Sequence, residues 1–330
     1  MTSPRLEDRF LRRINYLRVS VTDRCNLRCT YCMPAGGVAP LGHGEVLSYE
    51  EILRVARVAL SLGIEKIRIT GGEPLVRRGI LGFLERVAAL PGLKDLSLTT
   101  NGILLKEMAG ALRRAGLRRV NVSLDTLRPE VFERVARRPG LERVLAGIDA
   151  ARDAGLSPLK INVVAMRGVN DDEVLDFAEF ARARDCEVRF IEFMPARRDA
   201  WDSGSLLPAA EILSVLSSRY ALVPTEAEGI SGPCRTYLLP GGGRVGVISP
   251  MSDHFCGTCN RLRLTAEGKL RSCLFSDRQV DLRRILRSSA EDDRALEACI
   301  REAVHHKPER HAASDPSAEQ CGLSMSRVGG

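Results

Sequence analysis

The sequence predicts an α/β fold built on a parallel sheet, followed by a smaller C-terminal module of hairpins and a helix. Six short runs rich in β-branched residues alternate with helical patterns, and such βα repeats are typical of a parallel sheet whose crossovers are helices. The runs cover residues 17–23, 66–71, 96–101, 119–125, 159–164 and 188–195. Six units fit either an incomplete barrel or a doubly wound sheet, and periodicity alone does not choose between them.

The helices and the later hairpins follow from local patterns. Residues 48–63 have helical periodicity, with Ser48 and Glu51 at the spacing of a capping box and Gly63 at the end. Two Gly-rich or Glu-Gly turns predict hairpins over 235–250 and 261–275, and a last helix is expected over 289–306. We therefore divide the chain into a barrel domain, 1–215, and a smaller domain, 216–330, connected through 196–207. The final 24 residues show no periodicity and are expected to form a mobile or wrapping tail.

Composition limits the function classes. The 330 residues are 44% hydrophobic and 28% charged, which is enough apolar material for a sizeable core. No apolar stretch approaches the roughly 18 residues of a membrane helix, and the N-terminus has no signal-like apolar region, so we expect a cytoplasmic protein without membrane contact. The net charge is +7, but aromatics make up only 5% and no basic run carries them, so nucleic-acid binding is not indicated.

Three cysteines directly after the first strand form the first thiol set: Cys25, Cys29 and Cys32, spaced C-x3-C-x2-C. The carboxyl end of a parallel strand is where α/β folds place their chemistry. Three thiolates suit a [4Fe-4S] cluster with one iron left open, since each thiolate takes one iron. The alternative is a zinc site completed by a residue from elsewhere in the chain.

A second thiol set, Cys256, Cys259 and Cys273, has the spacing C-x2-C-x13-C within a predicted hairpin. Alone it could be a zinc ribbon with His254 as fourth ligand. Beside the first set it indicates a second [4Fe-4S] cluster with its own open iron. The remaining cysteines are unclustered and are interpreted as small hydrophobic residues: Cys186, Cys234, Cys299 and Cys321.

Four strands carry a cation where a parallel strand would usually be apolar, and we call these the barrel cations: Arg18, Arg68, Lys160 and Arg189. Buried charges need counter-charges. The candidates within the chain are Glu73, Asp125 and Glu192, and the external candidate is a phosphate-rich ligand. Arg261 and Arg263 lie on alternate positions of the second hairpin and favour the phosphate interpretation. In the alternative, the cations reach solvent at the strand ends.

The loops after strands two to four also carry candidate ligand contacts. "TGGEP" (70–74) offers a flexible backbone and a carboxylate that could bind an amine, while "TTNG" (99–102) and "VSLD" (122–125) offer hydroxyls and amides. Ordinary turn chemistry explains each of them equally well.

The motifs "RVSVTDRCNLRCTYCMP" and "IRITGGEPL" resemble those of the radical S-adenosylmethionine superfamily. With "FIEFMP", "FCGTCNRLRLTAEGKLRSCLF" and a final Gly-Gly, the chain resembles the GTP 3′,8-cyclase family of lyases, which performs the first step of molybdenum cofactor biosynthesis. The resemblance implies an incomplete (β/α)6 barrel like a partial TIM barrel, two [4Fe-4S] clusters and S-adenosylmethionine as the source of a 5′-deoxyadenosyl radical.

The resemblance also implies roles for single residues. Cys25, Cys29 and Cys32 would hold the first cluster, and Cys256, Cys259 and Cys273 the second, whose open iron would bind the guanine of GTP. Contacts to S-adenosylmethionine are implied for Tyr31, Gly72, Ser123 and Met194. Contacts to GTP are implied for Arg18, Arg68, Thr99, Lys160, Arg189, Arg261, Leu262 and Arg263. Catalytic roles are implied for the first thiol set, Arg261, Arg263 and the terminal Gly329 and Gly330, which would reach back to the active site.

The implied reaction converts GTP to (8S)-3′,8-cyclo-7,8-dihydroguanosine 5′-triphosphate. The implied partners are GTP, an unidentified low-potential electron donor and the downstream molybdopterin-precursor synthase, with a homodimer possible. Two alternatives stay open: a radical S-adenosylmethionine enzyme that modifies peptides and has an auxiliary cluster, and a non-catalytic, zinc-stabilised module that binds nucleic acid.

Overall fold

The computed structural model describes residues 5–194, 202–226, 230, 232–288, 293–311 and 325–329. Its strands are β1 (Tyr16–Ser20), β2 (Lys66–Thr70), β3 (Asp95–Thr100), β4 (Arg119–Ser123), β5 (Lys160–Ala165), β6 (Glu187–Glu192), β7 (Val223–Thr225), β8 (Arg235–Leu238), β9 (Arg244–Ile248), β10 (Arg261–Leu264), β11 (Lys269–Arg271) and β12 (Val280–Asp281). Its helices are α1 (Tyr49–Ser61), α2 (Ile80–Ala88), α3 (Leu105–Arg114), α4 (Pro129–Ala136), α5 (Leu141–Asp153), α6 (Val174–Arg184), α7 (Ala209–Ser217), α8 (Leu282–Ser288), α9 (Asp293–His305) and α10 (Met325–Val328).

All strands join one sheet in the order β12-β11-β10-β1-β2-β3-β4-β5-β6-β9-β8-β7. From β10 through β1 to β6 and on to β9, every neighbouring pair is parallel. The α/β class and the six predicted strands are therefore confirmed, and the parallel sheet with helical crossovers is the partial barrel. The two predicted hairpins, β8–β9 and β10–β11, do not form a sheet of their own, because β9 pairs with β6 and β10 pairs with β1.

The two faces of the parallel strands differ sharply. On the face toward the helices, Leu17, Val19, Ile67 and Ile69 are almost fully buried in the main core. The alternate positions carry Tyr16, Arg18 and other polar groups that point into the barrel. Each apolar side chain buried on the outer face stabilises the fold by about 1.5–3 kcal/mol. The strands thus alternate apolar and polar residues, unlike the continuous apolar runs common in parallel sheets.

The local signals at α1 are confirmed in detail. The hydroxyl of Ser48 accepts a hydrogen bond from the backbone N–H of Glu51 at 3.1 Å, and the Glu51 carboxylate accepts one from the N–H of Ser48 at 2.6 Å. Gly63 follows with a φ of 107°, a left-handed conformation that favours glycine after a helix.

The C-terminal region differs from the prediction. The expected helix over 289–306 is described as α9 from Asp293 to His305, and its first predicted residues, 289–292, lie outside the described residues. A separate helix that was not predicted, α8, precedes it. The tail is not uniform: residues 307–311 pack beside the second thiol set, and α10 lies inside the barrel, whereas 312–324 are outside the described residues. In the described part of the chain no helix is long and apolar enough to cross a membrane.

Candidate active site

One cavity of about 360 Å³ lies inside the barrel, against the C-terminal hairpins. This volume is in the range of pockets that bind small molecules. Six predicted cations line it, together with all of the second thiol set: Arg18, Arg68, Lys160, Arg189, Arg261, Arg263, Cys256, Cys259 and Cys273. Strands β1, β2, β5, β6 and β10 therefore bring the predicted cations together, and none of the four barrel cations escapes at a strand end.

Strand register places three arginines side by side. Arg18 on β1 is paired with Arg68 on β2 and, on its other side, with Arg263 on β10. Neighbouring strands are about 4.8 Å apart, and adjacent like charges are destabilising. Burial, followed by the neighbouring arginine charges, lowers the pKa of Arg18 to about 9. This row is a strong attractant for a polyanion.

The positive field extends to Tyr16, whose hydroxyl is buried. Burial alone would raise the pKa of this phenol, but the charges of Arg68, Arg18 and Lys66 lower it to about 8. The Lys66 ammonium lies 4.7 Å from the centre of the Tyr16 ring. Tyr16 and Lys66 were not predicted, although each stands two positions before an arginine that was, and thus on the same face of its strand.

The internal counter-charge of the barrel cations is Glu187, not the carboxylates predicted from the sequence. Its carboxylate lies 3.0 Å from the Lys160 ammonium and 2.5 Å from Nε of Arg189. Burial would raise the pKa of Glu187, but the charges of Arg189 and Lys160 lower it to about 2. The prediction that Glu73, Asp125 or Glu192 would pair with the barrel cations is therefore wrong.

Each of those three carboxylates instead accepts hydrogen bonds from uncharged groups around it. Glu73 accepts hydrogen bonds from the N–H groups of Leu75 and Asn101 and from the Thr100 hydroxyl at 2.7–3.0 Å. Glu192 accepts hydrogen bonds from the backbone N–H groups of residues 209, 251 and 252 and so ties the end of β6 to the start of α7 and to the loop after β9. These internal contacts also use the Glu73 carboxylate that the sequence had suggested for binding an amine.

Buried polar groups without protein partners also face the barrel interior. The hydroxyls of Tyr16 and Thr99 and the side-chain amide of Asn121 have no hydrogen-bond partner among the described residues. An unsatisfied buried polar group costs about 1–3 kcal/mol. These groups on β1, β3 and β4 indicate that a polar ligand completes the interior.

The second thiol set is surrounded by cations. Burial alone would raise the pKa of the Cys259 thiol, but the charges of Arg261 and Lys307 lower it to about 6. A guanidinium nitrogen of Arg261 lies 3.7 Å from its sulfur. His254, the predicted alternative ligand, has its Nδ1 2.7 Å from the carbonyl oxygen of Pro250.

The first thiol set has the opposite surroundings. Burial, and then the charges of Asp125 and the two companion thiols, raise the pKa of Cys29 well above its usual value. Burial is also the largest cause of the raised pKa of Cys25, and the Glu73 carboxylate adds to it. The loop that carries these thiols is fixed by backbone hydrogen bonds from Arg28 and Thr30 to the end of α4.

Two of the residues expected to contact S-adenosylmethionine border this loop. Tyr31 donates a 2.7 Å hydrogen bond to Asp125, whose carboxylate also accepts one from the N–H of Val164. Gly72 lies against the backbone of residues 23 and 24, and a Cβ there would overlap the Arg24 carbonyl oxygen. Its lack of a side chain is thus required by close packing of two chain segments directly before Cys25.

The other predicted residues are distributed as follows. Met194 lines the cavity, and Ser123 is half-buried at the end of β4. The side chain of Leu262 is 1% exposed and packs in the hydrophobic core, so its contact with GTP stays a prediction for its backbone. Cys234, interpreted as an inert cysteine, also lines the cavity.

The tail reaches the barrel interior. The carbonyl oxygen of Gly329 accepts a 2.7 Å hydrogen bond from the Arg263 guanidinium. Gly329 has a φ of 80°, and a Cβ there would overlap the Thr70 hydroxyl, so only glycine fits between β1 and β2 at this point. Gly330 lies outside the described residues.

Each thiol set fits an iron–sulfur cluster. The charges of Cys25 and Cys32 raise the pKa of the Cys29 thiol, and those of Cys259 and Cys273 raise the pKa of the Cys256 thiol, so the three sulfurs of each set lie near one another. In the described ranges, no three His, Cys, Asp or Glu side chains are arranged to hold a single metal ion. A [4Fe-4S] cluster takes each thiolate on a different iron, which suits grouped thiols of this kind.

Comparison with protein families matches residues 19–181 to the Radical SAM superfamily and residues 186–313 to Molybdenum Cofactor Synthesis C. Solved structures share the fold at low identity. A Streptococcus suis SuiB structure bound to the precursor peptide SuiA superposes with a TM-score of 0.52 at 16% identity, covering 62% of this chain and 46% of that one. The anSMEcpe structure with bound AdoMet has a TM-score of 0.50 at 17% identity and covers 63% and 58% of the two chains.

Curated relatives are much more similar. The chain is 55% identical to a GTP 3′,8-cyclase of Geobacter sulfurreducens, covering 98% of this chain and 99% of the relative. It is 48% identical to a GTP 3′,8-cyclase of Moorella thermoacetica, covering 98% and 100%. With its two thiol sets and its cation-lined barrel, the chain therefore belongs to the GTP 3′,8-cyclase family within the radical S-adenosylmethionine superfamily.

Proposed function

We propose that this chain converts GTP to (8S)-3′,8-cyclo-7,8-dihydroguanosine 5′-triphosphate, the first step of molybdenum cofactor biosynthesis. The observation that carries the proposal is that three adjacent arginines and the second thiol set line the same cavity. The near full-length identity to proteins named GTP 3′,8-cyclase supports the same assignment.

Several residues of the cavity are suited to bind GTP. Arg18, Arg68 and Arg263 form the cationic row that would bind the triphosphate, and guanidinium groups suit phosphate oxygens geometrically. Lys160 and Arg189 would exchange part of their contact with Glu187 for phosphate. The Thr99 hydroxyl has no hydrogen-bond partner in the part of the chain that the structure describes, and it can bind a polar group of the substrate.

Cys25, Cys29 and Cys32 would hold the first [4Fe-4S] cluster, which together with S-adenosylmethionine supplies a 5′-deoxyadenosyl radical when bound. Tyr31, Gly72, Ser123 and Met194 are the proposed contacts for S-adenosylmethionine. Cys256, Cys259 and Cys273 would hold the second cluster, whose open iron supplies a Lewis acid for the guanine. In the substrate, a hydrogen atom would pass from ribose C3′ to the 5′-deoxyadenosyl radical, and a bond would form between C3′ and guanine C8. One electron and one proton would then reduce the resulting nucleobase radical to the 7,8-dihydro product.

The tail contacts the cationic row directly. Because Gly329 accepts a hydrogen bond from Arg263, it holds that guanidinium in the cationic row. We propose catalytic contacts for Arg261, Arg263 and the Gly329–Gly330 end on this basis. The division into domains at 215 and 216 remains a prediction, since β9 and β10 extend the barrel sheet.

The proposed partners follow from the chemistry. Formation of the deoxyadenosyl radical and reduction of the nucleobase radical each need one electron, so we propose a low-potential electron donor that delivers two electrons per turnover. The downstream molybdopterin-precursor synthase would take up the cyclic product. A homodimer and a cytoplasmic location are also proposed. Light scattering of the anaerobic protein would test the dimer.

The decisive experiment is anaerobic turnover with GTP, S-adenosylmethionine and dithionite, followed by mass and NMR analysis of the nucleotide. We expect deoxyadenosine to form in step with a cyclic isomer of GTP, which NMR distinguishes from GTP itself, from protein with about eight irons per chain for two four-iron clusters. Stoichiometric zinc without iron would contradict the proposal in favour of a zinc-stabilised module. Deoxyadenosine formation only with a peptide would favour the peptide-modifying alternative.

A further inference from the structure

Segment 307–311 wraps the second thiol set and contains a fully buried lysine. Lys307 follows α9 and is 2% exposed. Its ammonium donates a hydrogen bond to the carbonyl oxygen of Arg261 at 3.1 Å and another to that of Ser272. Arg261 is two residues after one ligand of the second thiol set, and Ser272 directly precedes another.

The charge of this ammonium has no carboxylate partner among the residues that the structure describes. A buried charge needs compensation, since an isolated one costs several kcal/mol or more. The groups that favour the charged form are the thiols of Cys259 and Cys273, which interact electrostatically with it. Lys307 is therefore placed to compensate anionic sulfur.

The rest of the segment is anchored to the same site. Arg12, which is buried and paired with Asp8, donates hydrogen bonds to the carbonyl oxygens of Pro308 and Glu309 at 2.7 and 3.0 Å. The same guanidinium donates to the Cys256 carbonyl oxygen at 2.7 Å. The segment and the loop of Cys256 are thus held by one side chain, which keeps Lys307 in place relative to all three thiols.

We propose that Lys307 is a positioning residue of the second cluster, fixing the two ends of the β10–β11 hairpin around it and compensating its negative charge. The inference rests on the proposed function, because it takes the second thiol set to hold a [4Fe-4S] cluster. A nearby cation stabilises the reduced, more negative state of a cluster and so raises its reduction potential.

The test is an EPR-monitored redox titration of both clusters, with iron analysis, in anaerobically prepared variants. Lys307→Met removes the charge and the donors, Lys307→Gln removes the charge but keeps two N–H donors, and Lys307→Arg keeps the charge. We expect Lys307→Met and Lys307→Gln to lower the reduction potential of the second cluster. Alternatively, the Lys307→Met protein should lack the four irons of the second cluster. In each case the first cluster should be unchanged. Lys307→Arg should keep the potential close to that of the unmodified protein.

The matched control is Lys269→Met, on β11 of the same hairpin, where the lysine is partly exposed and paired with Glu267 at 3.3 Å. It removes the same charge and should leave both potentials unchanged. An unchanged second-cluster potential and iron content in Lys307→Gln would overturn the inference, as would an equal shift in Lys307→Arg. Absence of a second cluster from the unmodified protein would instead contradict the proposed function.

Discussion

The two thiol sets have the same number of sulfurs but opposite electrostatic surroundings. Carboxylates stand near the first set, where Asp125 and Glu73 add to burial in raising the thiol pKa values. Cations stand near the second set, where Arg261 and Lys307 outweigh burial and lower the pKa of Cys259. A set of three thiols at close sequence spacing therefore does not define one kind of site.

The difference follows from the position of each set relative to the cavity. The second set is part of the cavity wall and shares the field of the arginine row, whereas the first set is not among the residues that line it. A polyanion is thus drawn toward the second set. The contrast supports separate roles, with radical chemistry at the first set and substrate binding at the second.

The largest expected effect separates the two sets directly. Cys29→Ser should abolish both cleavage of S-adenosylmethionine and conversion of GTP, whereas Cys273→Ser should abolish conversion and retain cleavage. Deoxyadenosine and the cyclic nucleotide are measured in the same anaerobic reaction. Cys299→Ser on α9 is the control and should leave both products unchanged. Normal conversion of GTP by Cys273→Ser would contradict the proposed difference in roles between the two thiol sets.

A second prediction concerns the tail on the cationic side. Gly329→Ala should displace the tail, since the added Cβ overlaps the Thr70 hydroxyl and Arg263 then loses its acceptor. Loss of a buried hydrogen bond to a charged group costs about 1.5–3 kcal/mol, which corresponds to a decrease of about 10–150-fold in kcat/KM for GTP. The control Gly82→Ala faces open space on α2. An unchanged kcat/KM would show that tail placement does not matter for turnover.

A third prediction tests the counter-charge inside the cavity. Glu187→Gln should lower the free energy of unfolding of the free protein by about 3 kcal/mol, because it leaves Lys160 and Arg189 without their buried partner. GTP should reduce this loss, since its phosphates replace the carboxylate. Denaturant unfolding at pH 7 with and without GTP measures both effects, and equal losses would contradict the exchange of partners.

The same residue gives a pH dependence. The pKa of Glu187 is lowered from 4.5 to about 2 in the folded protein, so its contribution is fully present above about pH 4.5. It should be lost as the pH falls from 4.5 toward 2, and the Gln variant should lack this part of the acid dependence. Glu211→Gln, in an exposed pair with Arg167, is the control.

The smallest effect concerns thiol reactivity in the cluster-free protein. With a pKa of about 6, Cys259 should be mostly thiolate at pH 7 and react fastest with iodoacetamide, while Cys29, with its raised pKa, should react slowly. Arg261→Met should slow alkylation of Cys259 severalfold. Peptide mapping by mass spectrometry measures each site, and equal rates at the two cysteines would contradict the electrostatic contrast.

Sequence patterns predicted much of this site because they depend on short-range chemistry. The thiol spacings, the capping box at Ser48 and the cations within strands are all local signals. The counter-charge could not be chosen in the same way, since Glu187, Glu73 and Asp125 are all carboxylates near strands. Only the barrel shows that Glu187 faces Lys160, whereas Glu73 turns to Thr100 and Asn101.

The sequence by itself determined that six βα units carry one set of three thiols and cations within their strands, and that a C-terminal hairpin carries a second set, because spacing and periodicity are properties of the chain. The tertiary structure decided which groups meet. It brought β10 beside β1, which completed the arginine row, and it buried Lys307 between two ligand segments. These contacts depend on strand register and on the closing of the barrel by residues that are far apart in the sequence. Their free energies come from the burial of charges that only the folded chain brings together.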